Sequence, residues 1–432
     1  MIDRLIHWSL HNRFLVISGF LLLCAWGLVA LQRVPIDAIP DLSENQVIVY
    51  ADWPGRSPQE VEDQITYPLS VSLQGLAGVR TVRASSMFGF AFLTVIFEDR
   101  IDPYFARTRV LERLNSLGDL LPEGVVARLG PDATGLGWVY QYYLKDASGE
   151  QDLGSLRTLQ DTFVRYQLAA VPGVAEVASI GGFVRQYQVE VSALQLKRHG
   201  ATLGDVMDAV AKANLNVGGK TIEENGSEYI VRGVGLVEDA ADLESIPILS
   251  HRGSPLYLRD LATVRIGGDF RRGTLDVNGR EVVGGIVVMR YGENAYRVIQ
   301  QVKERIAALG PGLPAGVSVV PFYDRSDLIE RAIATLKDAL TEEVILVTLM
   351  HILFLFHFRS ILIVTLPLPA SILIAFILMD QFGIPSNIMS LTGIAISIGV
   401  LVDAGIVMTE NVIRHCERAR RRVVRAHLRQ WP

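Results

Sequence analysis

The stretch Ile394-Ala-Ile-Ser-Ile-Gly-Val-Leu-Val-Asp-Ala-Gly-Ile-Val-Met-Thr-Glu-Asn411 is apolar enough to lie inside a membrane, yet it carries Asp403 at its centre. Asp403 stands eleven residues before Arg414, about 16 Å of helix axis at 1.5 Å per residue. That is about half of a ~30 Å hydrocarbon core, so Asp403 is expected near the midplane. A charge there costs about 2.5 to 3.5 kcal/mol on insertion scales, and such residues face a bundle interior and mark proton or ion paths. The competing reading is a protonated, hydrogen-bonded structural carboxyl. Glu410 follows seven residues later, on the same helical face but near the cytoplasmic end. It reads either as a second relay group or as an interfacial glutamate beside arginines. Gly393, Ser397 and Gly399 are small enough for a second helix to approach.

The rest of the chain supports a membrane setting. Its 432 residues are 50% hydrophobic and only 20% charged, too apolar for an ordinary soluble enzyme. The formal net charge of -5, with no basic patch interleaved with aromatics before the C-terminal tail, gives no nucleic-acid signature. Cys24 lies in an apolar run and Cys416 in a basic tail, so neither a disulfide framework nor a thiolate metal site is indicated. There is no nucleophile elbow, P-loop or His/Asp metal motif, and His199 and His251 read as isolated surface residues. A transporter or membrane subunit is expected, not an enzyme, and no cofactor is implied.

Four apolar runs fit spans: Phe14 to Leu31, Val344 to Phe356, Ile361 to Met379, and Ile388 to about Val412. The first competes with a signal peptide, but it is long and no small-x-small cleavage site follows it. The link His357 to Ser360 contains arginine, Asp380 to Asn387 contains no Lys or Arg, and Arg414 to Arg429 is densely basic. The positive-inside rule therefore places the N-terminus, that link and the tail in the cytoplasm and the large middle segment outside.

That middle segment alternates between strand and helix periodicity. Gln46 to Trp53 alternates like a strand, Ser57 to Leu76 has helical spacing with Pro58 at its start, and Arg80 to Phe97 is β-rich around a Phe88-Gly-Phe90 turn. A helix at Asp102 to Leu121 and a strand near Val125 to Leu129 complete a β-α-β-β-α-β order, the split βαβ or ferredoxin-like unit. A second unit begins at Trp138 to Leu144, Leu153 to Val171 and Val174 to Ile180, and resumes at Gly273 to Tyr291, Ala295 to Leu309 and Val317 to Tyr323. Between its halves lies an insert with a strand at Gln186 to Val191, a helix at Leu203 to Asn214 and a hairpin around Gly218-Gly219 and Gly226. From Asp327 one long helix is expected to run unbroken into the second span, coupling the external part to the membrane.

These features carry a resemblance. Val34-Pro-Ile-Asp-Ala-Ile-Pro-Asp-Leu-Ser43, Tyr67-Pro68, Phe97-Glu-Asp99, Gly130-Pro-Asp-Ala-Thr-Gly135, Ala175-Glu-Val-Ala-Ser179, Tyr323-Asp-Arg-Ser326, Asn387-Ile-Met-Ser390 and the Asp403 stretch resemble the resistance-nodulation-division (RND) exporters, and within them the heavy-metal branch. The resemblance runs from Met1 to about Glu417. It implies an α+β membrane protein with four transmembrane helices and periplasmic ferredoxin-like porter units. The expected division is a first span at 1–33, a first porter unit at 34–133, a second at 134–182 and 270–326, an inserted docking domain at 183–269, three further spans at 327–413 and a basic tail at 414–432. The tail has no counterpart in the resemblance and is a candidate aberrant end.

The resemblance also implies a proton-driven antiporter of the bacterial inner membrane. It would be a homotrimer docked on a periplasmic adaptor and an outer-membrane channel, with Asp403 and Glu410 in the proton relay. Drug-exporting members carry a paired Asp-Asp, whereas Ala404 follows Asp403 here; divalent-metal members carry a further Asp at the position of Ser397. A single aspartate points to Cu(I) or Ag(I), ions that soft thioethers select. Met389 and Met408 match stepping ligands of the copper/silver members, while Leu401 departs from that pattern. Apart from the resemblance, each methionine reads as apolar filler. Family members have two homologous halves and this chain corresponds to the first. Three other readings therefore stand beside a copper/silver exporter: a fragment without activity, a half-subunit completed by a separate second half, and a cobalt/zinc/cadmium exporter.

Overall fold

Strand β1 (Gln46–Asp52) buries every second residue, Val47, Val49 and Ala51, as its alternation requires. The computed structural model, which describes residues 2–117, 120–251, 254–271, 273–355 and 366–428, sets β1 in the middle of a four-stranded sheet. β2 (Val79–Met87), β3 (Phe90–Phe97) and β4 (Ala127–Leu129) complete it in the order β2-β3-β1-β4, every pair antiparallel. Gly89 turns the β2–β3 hairpin at φ +64°, a conformation that favours glycine. Two helices cover one face. The first runs through Pro58–Val61, a π turn at Glu62–Thr66, and Tyr67–Gln74; the second is Pro103–Asn115. Ser57 and Glu60 form a capping box at the start of the first helix, and Asp102 caps the second. Val61, Ile65, Leu69, Leu73, Val110 and Leu93 fill the core between the layers.

The second sheet repeats this arrangement across a long interruption. β5 (Trp138–Asp146), β6 (Val174–Gly181), β14 (Arg280–Met289) and β15 (Val317–Asp324) stand in the order β6-β14-β5-β15, with β13 (Leu275–Val277) also paired to β14. Its helices are Leu153–Leu159 continued by a π turn at Gln160–Val164 and Arg165–Ala169, and Ala295–Leu309. The π turn falls at the same place as in the first unit.

Between β6 and β13 the chain makes a separate cluster around Val206, Leu243, Leu258 and Leu261. It contains β7 (Arg185–Val191) paired with β12 (Ala262–Gly268), and the hairpin of β10 (Pro247–His251) and β11 (Ser254–Tyr257). It also carries a free-standing ribbon, β8 (Val217–Glu224) with β9 (Ser227–Gly233). The sequence centres this hairpin on Gly218-Gly219 and Gly226. In the fold the turn is Asn225-Gly226, both at positive φ, and Gly218-Gly219 lie within β8.

Among the described residues two helices are long and apolar enough to cross a membrane, Arg13–Arg33 and the Ile388–Val412 part of Ile388–Leu428. The expected second span lies, as far as Leu355, in one helix, Arg325–Leu355, which begins two residues before the expected start of the long helix; Phe356 lies outside the described residues. The expected third span corresponds to the shorter apolar helix Pro367–Phe382; residues 361–365 and the link His357 to Ser360 lie outside the described residues. Helix Ile388–Leu428 continues through most of the basic tail. Val34, Leu368, Phe376, Leu391, Ile394 and Ile398 form the core of this helical layer. The close helix contact is at Gly27, where an added Cβ would stand 2.5 Å from Leu373 Cβ, whereas one on Gly393 would meet nothing within 4 Å.

Candidate functional site

Helix Ile388–Leu428 starts from a reciprocal cap. Asn387 Oδ1 accepts from the backbone N–H of Met389 and of Ser390 at 3.0 Å, and the Asn387 N–H donates to Ser390 Oγ at 2.8 Å. The Asn387-Ile-Met-Ser390 motif thus has a structural role, satisfying donors that a buried helix end would leave unpaired. From there Leu391, Ile394 and Ile398 turn one stripe of the helix into the core with Leu368 and Phe376.

Asp403 lies on the other side. It follows Ile394 by nine residues, about two and a half turns at 3.6 residues per turn, and its side chain is exposed. Met389, Ile396 and Val400 are exposed along the same flank, at 69% for Met389. Glu410 is exposed two turns further and accepts from Arg414 at 2.6 Å, an ordinary i,i+4 surface pair. Met408, 68% exposed, lies on a different flank, five residues past Asp403. The two methionines are nineteen residues apart, about 28 Å of helix axis, so they share no coordination site within one chain. The fold therefore groups Asp403, Glu410 and Met389 on one open helix face and leaves Met408 beside it. Among the described residues no three His, Cys, Asp or Glu side chains gather to hold a metal.

A second constellation, at the root of this helix, was not singled out from sequence. The segment after the first span hydrogen-bonds to the loop before the Asp403 helix: Asp37 N–H to Ser386 O at 3.0 Å, Ser386 N–H to Pro35 O at 2.8 Å and Ile388 N–H to Ala38 O at 3.1 Å. Asp37 meets Arg325, the first residue of helix Arg325–Leu355, at 3.2 Å; Arg325 is only 3% exposed and also donates to the Trp138 carbonyl at 2.9 Å. Asp324 caps the same helix by accepting from the Ser326 N–H, and it pairs with Lys303. Ala38 and Ile329 are buried in the core of the second sheet. Burial pushes the Asp37 carboxyl above its ordinary value, against the opposing pull of Arg325 and of the Ala38 and Ile39 backbone N–H groups. Asp37 and Arg325 both sit in motifs quoted above, but they are 288 positions apart and no local pattern joins them.

Beside this junction a cavity of about 460 Å³ opens between the first sheet, the second sheet and the loop at Gly383 and Pro385. Two of its acidic lining residues are engaged there: Asp41 accepts from Thr134 Oγ1 at 2.5 Å and Asp132 pairs with Arg290 at 2.9 Å. Arg107 donates to the carbonyls of Gly130 and Pro131, which gives the Gly130–Gly135 motif a structural function as well.

Comparison with known proteins follows the whole length of this architecture. A sequence model of the AcrB/AcrD/AcrF family matches residues 5–430. The cation efflux system protein CusA of Escherichia coli (strain K12) is 48% identical over 419 residues, covering 96% of this chain and 40% of that protein. The cobalt-zinc-cadmium resistance protein CzcA of Cupriavidus metallidurans is 39% identical, covering 97% of this chain and 40% of that protein. A crystal structure of a heavy metal efflux pump superimposes with a TM-score of 0.86 at 34% identity, over 96% of this chain and 41% of the pump. The chain spans about 40% of the length of the curated relatives it matches.

Proposed function

This chain belongs to the AcrB/AcrD/AcrF family, and we propose that it is the first portion of a proton-driven heavy-metal exporter. The two four-stranded units are read as ferredoxin-like porter units on the periplasmic side. Helices Arg13–Arg33, Arg325–Leu355, Pro367–Phe382 and Ile388–Leu428 are read as four inner-membrane spans. The observation that carries the reading is Asp403, a carboxylate at mid-depth of an apolar helix on the face that this chain's own core leaves open. Helices supplied by the remainder of the transporter would cover that face and give the carboxylate its partner. Proton binding at Asp403 would shift the helix, with Glu410 nearer the cytoplasmic end of the relay. The motion would reach the porter units through Ser386, Asp37 and Arg325.

Copper(I) and silver(I) are the proposed cargo. Asp403 is followed by Ala404, and Ser397 stands six residues before it, which leaves a single aspartate in this span, and Met389 and Met408 are soft ligands suited to successive transient contacts. A homotrimer docked on a periplasmic adaptor and an outer-membrane channel is the assembly that family membership suggests, and the exposed β8–β9 ribbon offers a surface for such docking. An isolated two-stranded ribbon is marginal in water, and this one exposes Ile222, Tyr229 and Ile230. No enzymatic reaction is proposed.

The test is metal tolerance in an exporter-deleted Gram-negative host. The chain is expressed alone and with the portion of CusA that it does not span, each with Asp403 or Asp403→Asn. Copper and silver tolerance only in the complemented pair, lost in Asp403→Asn, is the expected result. Tolerance that survives Asp403→Asn would sink the proton role, and tolerance to cobalt, zinc and cadmium instead would overturn the cargo.

A further inference from the structure

Helix Ile2–His11 precedes the first span and is separated from it at Asn12, which has left the helical conformation. Asn12 Nδ2 donates to the Trp8 carbonyl at 3.0 Å and Arg13 Nε to the Leu10 carbonyl at 3.2 Å, so two of the last carbonyls of this short helix are satisfied where it ends. His7 and His11 lie four residues apart on it, one above the other on a single exposed face. Their rings stack with centroids 4.4 Å apart and planes 16° from parallel.

The tautomer follows from one contact. His11 Nδ1 is 2.9 Å from the carbonyl oxygen of His7; a carbonyl only accepts, so the ring donates from Nδ1. That leaves the lone pair of His11 Nε2 directed away from the backbone. A neutral imidazole anchored through one nitrogen and open at the other is the form in which histidine ligates metals. The His7 ring, stacked on that of His11 one helical turn before, can supply a second nitrogen to the same ion. Zinc–nitrogen bonds of about 2.0 to 2.1 Å place two donors about 3 Å apart, within a side-chain rotation of rings now 4.4 Å apart.

We propose that His7 and His11 form a two-nitrogen chelate for a borderline divalent ion of the zinc type, at the end of the first span that the charge pattern assigns to the cytoplasm. Imidazole pairs select such ions over hard cations, and the two protein ligands leave the remaining coordination positions to water. The site is therefore an exchanging one at the membrane surface, separate from the open face around Asp403. Nothing in it depends on Asp403 or on transport, so either can fail alone.

The test uses the full chain in detergent, purified without a histidine tag and titrated with zinc(II) against a chromophoric competitor. His7→Gln, His11→Gln and, as a control, His199→Gln are compared with the parent. One equivalent of zinc is expected per parent chain, and each of the first two variants should weaken it on the order of 10²-fold, since the second ligand acts intramolecularly. His199→Gln should bind as the parent does. Absence of stoichiometric zinc overturns the site, as does zinc binding that neither variant changes. Weakening in only one variant would overturn the chelate, because a single ligand would then carry the ion.

Discussion

Arg325 Nη1 stands 3.2 Å from Asp37 Oδ2, so the first residue of the long helix grips the segment that leaves the first span. Both groups are withdrawn from solvent, Arg325 at 3% and Asp37 at 20% exposure. The same segment is bonded through Ser386 to the root of the Asp403 helix. Three elements of the membrane layer and the second sheet meet within a few residues.

Removing one partner of this pair leaves the other charge buried. Asp37→Ala is expected to destabilise the chain by about 3 to 5 kcal/mol, measured by denaturant unfolding in detergent. Hydrogen exchange at the Ser386 and Ile388 amides should accelerate with it. Asp37→Ala with Arg325→Met should recover much of the loss; a single variant as stable as the parent would show that the junction is held otherwise.

The pH dependence of this junction has a definite sign. Burial raises the Asp37 value in the folded chain above its ordinary 3.8, so the folded state holds this proton more tightly than the unfolded state does. The contribution of Asp37 is full below 3.8 and is lost as pH rises through the raised value. The stability difference between the parent and Asp37→Asn should shrink or reverse over that interval. A difference that grows as pH rises would contradict the assignment.

Gly27 should be intolerant of a side chain and Gly393 indifferent to one. A Cβ on Gly27 would sit 2.5 Å from Leu373 Cβ, while Gly393 faces open space. Gly27→Ala is expected to cost about 1 to 3 kcal/mol by overpacking, read as lower thermal stability in detergent. Leu373→Ala, which keeps the Cβ, Cα and carbonyl that make the contact, should not relieve it, and Gly393→Ala should leave stability unchanged in the isolated chain.

Asn387 holds the start of the helix that carries Asp403. Asn387→Ala should cost about 1 kcal/mol and raise exchange at the Met389 and Ser390 amides. Asn387→Asp, which keeps an acceptor at the cap, should restore most of the protection. If Asn387→Ala leaves exchange at these two amides untouched, the cap is redundant.

Much of this molecule is written locally. Alternation placed β1, the Phe88-Gly-Phe90 turn placed the β2–β3 hairpin, and helical spacing with Pro58 placed the first covering helix. The apolar stretch around Asp403 was equally legible, because a charge in a long hydrophobic run is visible without neighbours. The hairpin at Gly226 was legible too, though its two-residue turn, Asn225-Gly226, was not pinpointed; the π turns and the tight approach at Gly27 were not legible, because each depends on how a segment packs against another.

By itself the sequence determined the alternation of strands and helices, the apolar runs and the place of Asp403 within the last of them, since periodicity and hydropathy act over a few turns of chain. Only the tertiary structure decided that Asp37 meets Arg325 across 288 positions, that Ser386 bridges the first span to the Asp403 helix, and that Asp403 faces away from its own core. The physical reason is that a side chain's direction around a helix is fixed by local geometry, while what it meets there is fixed by which distant segment buries the opposite face.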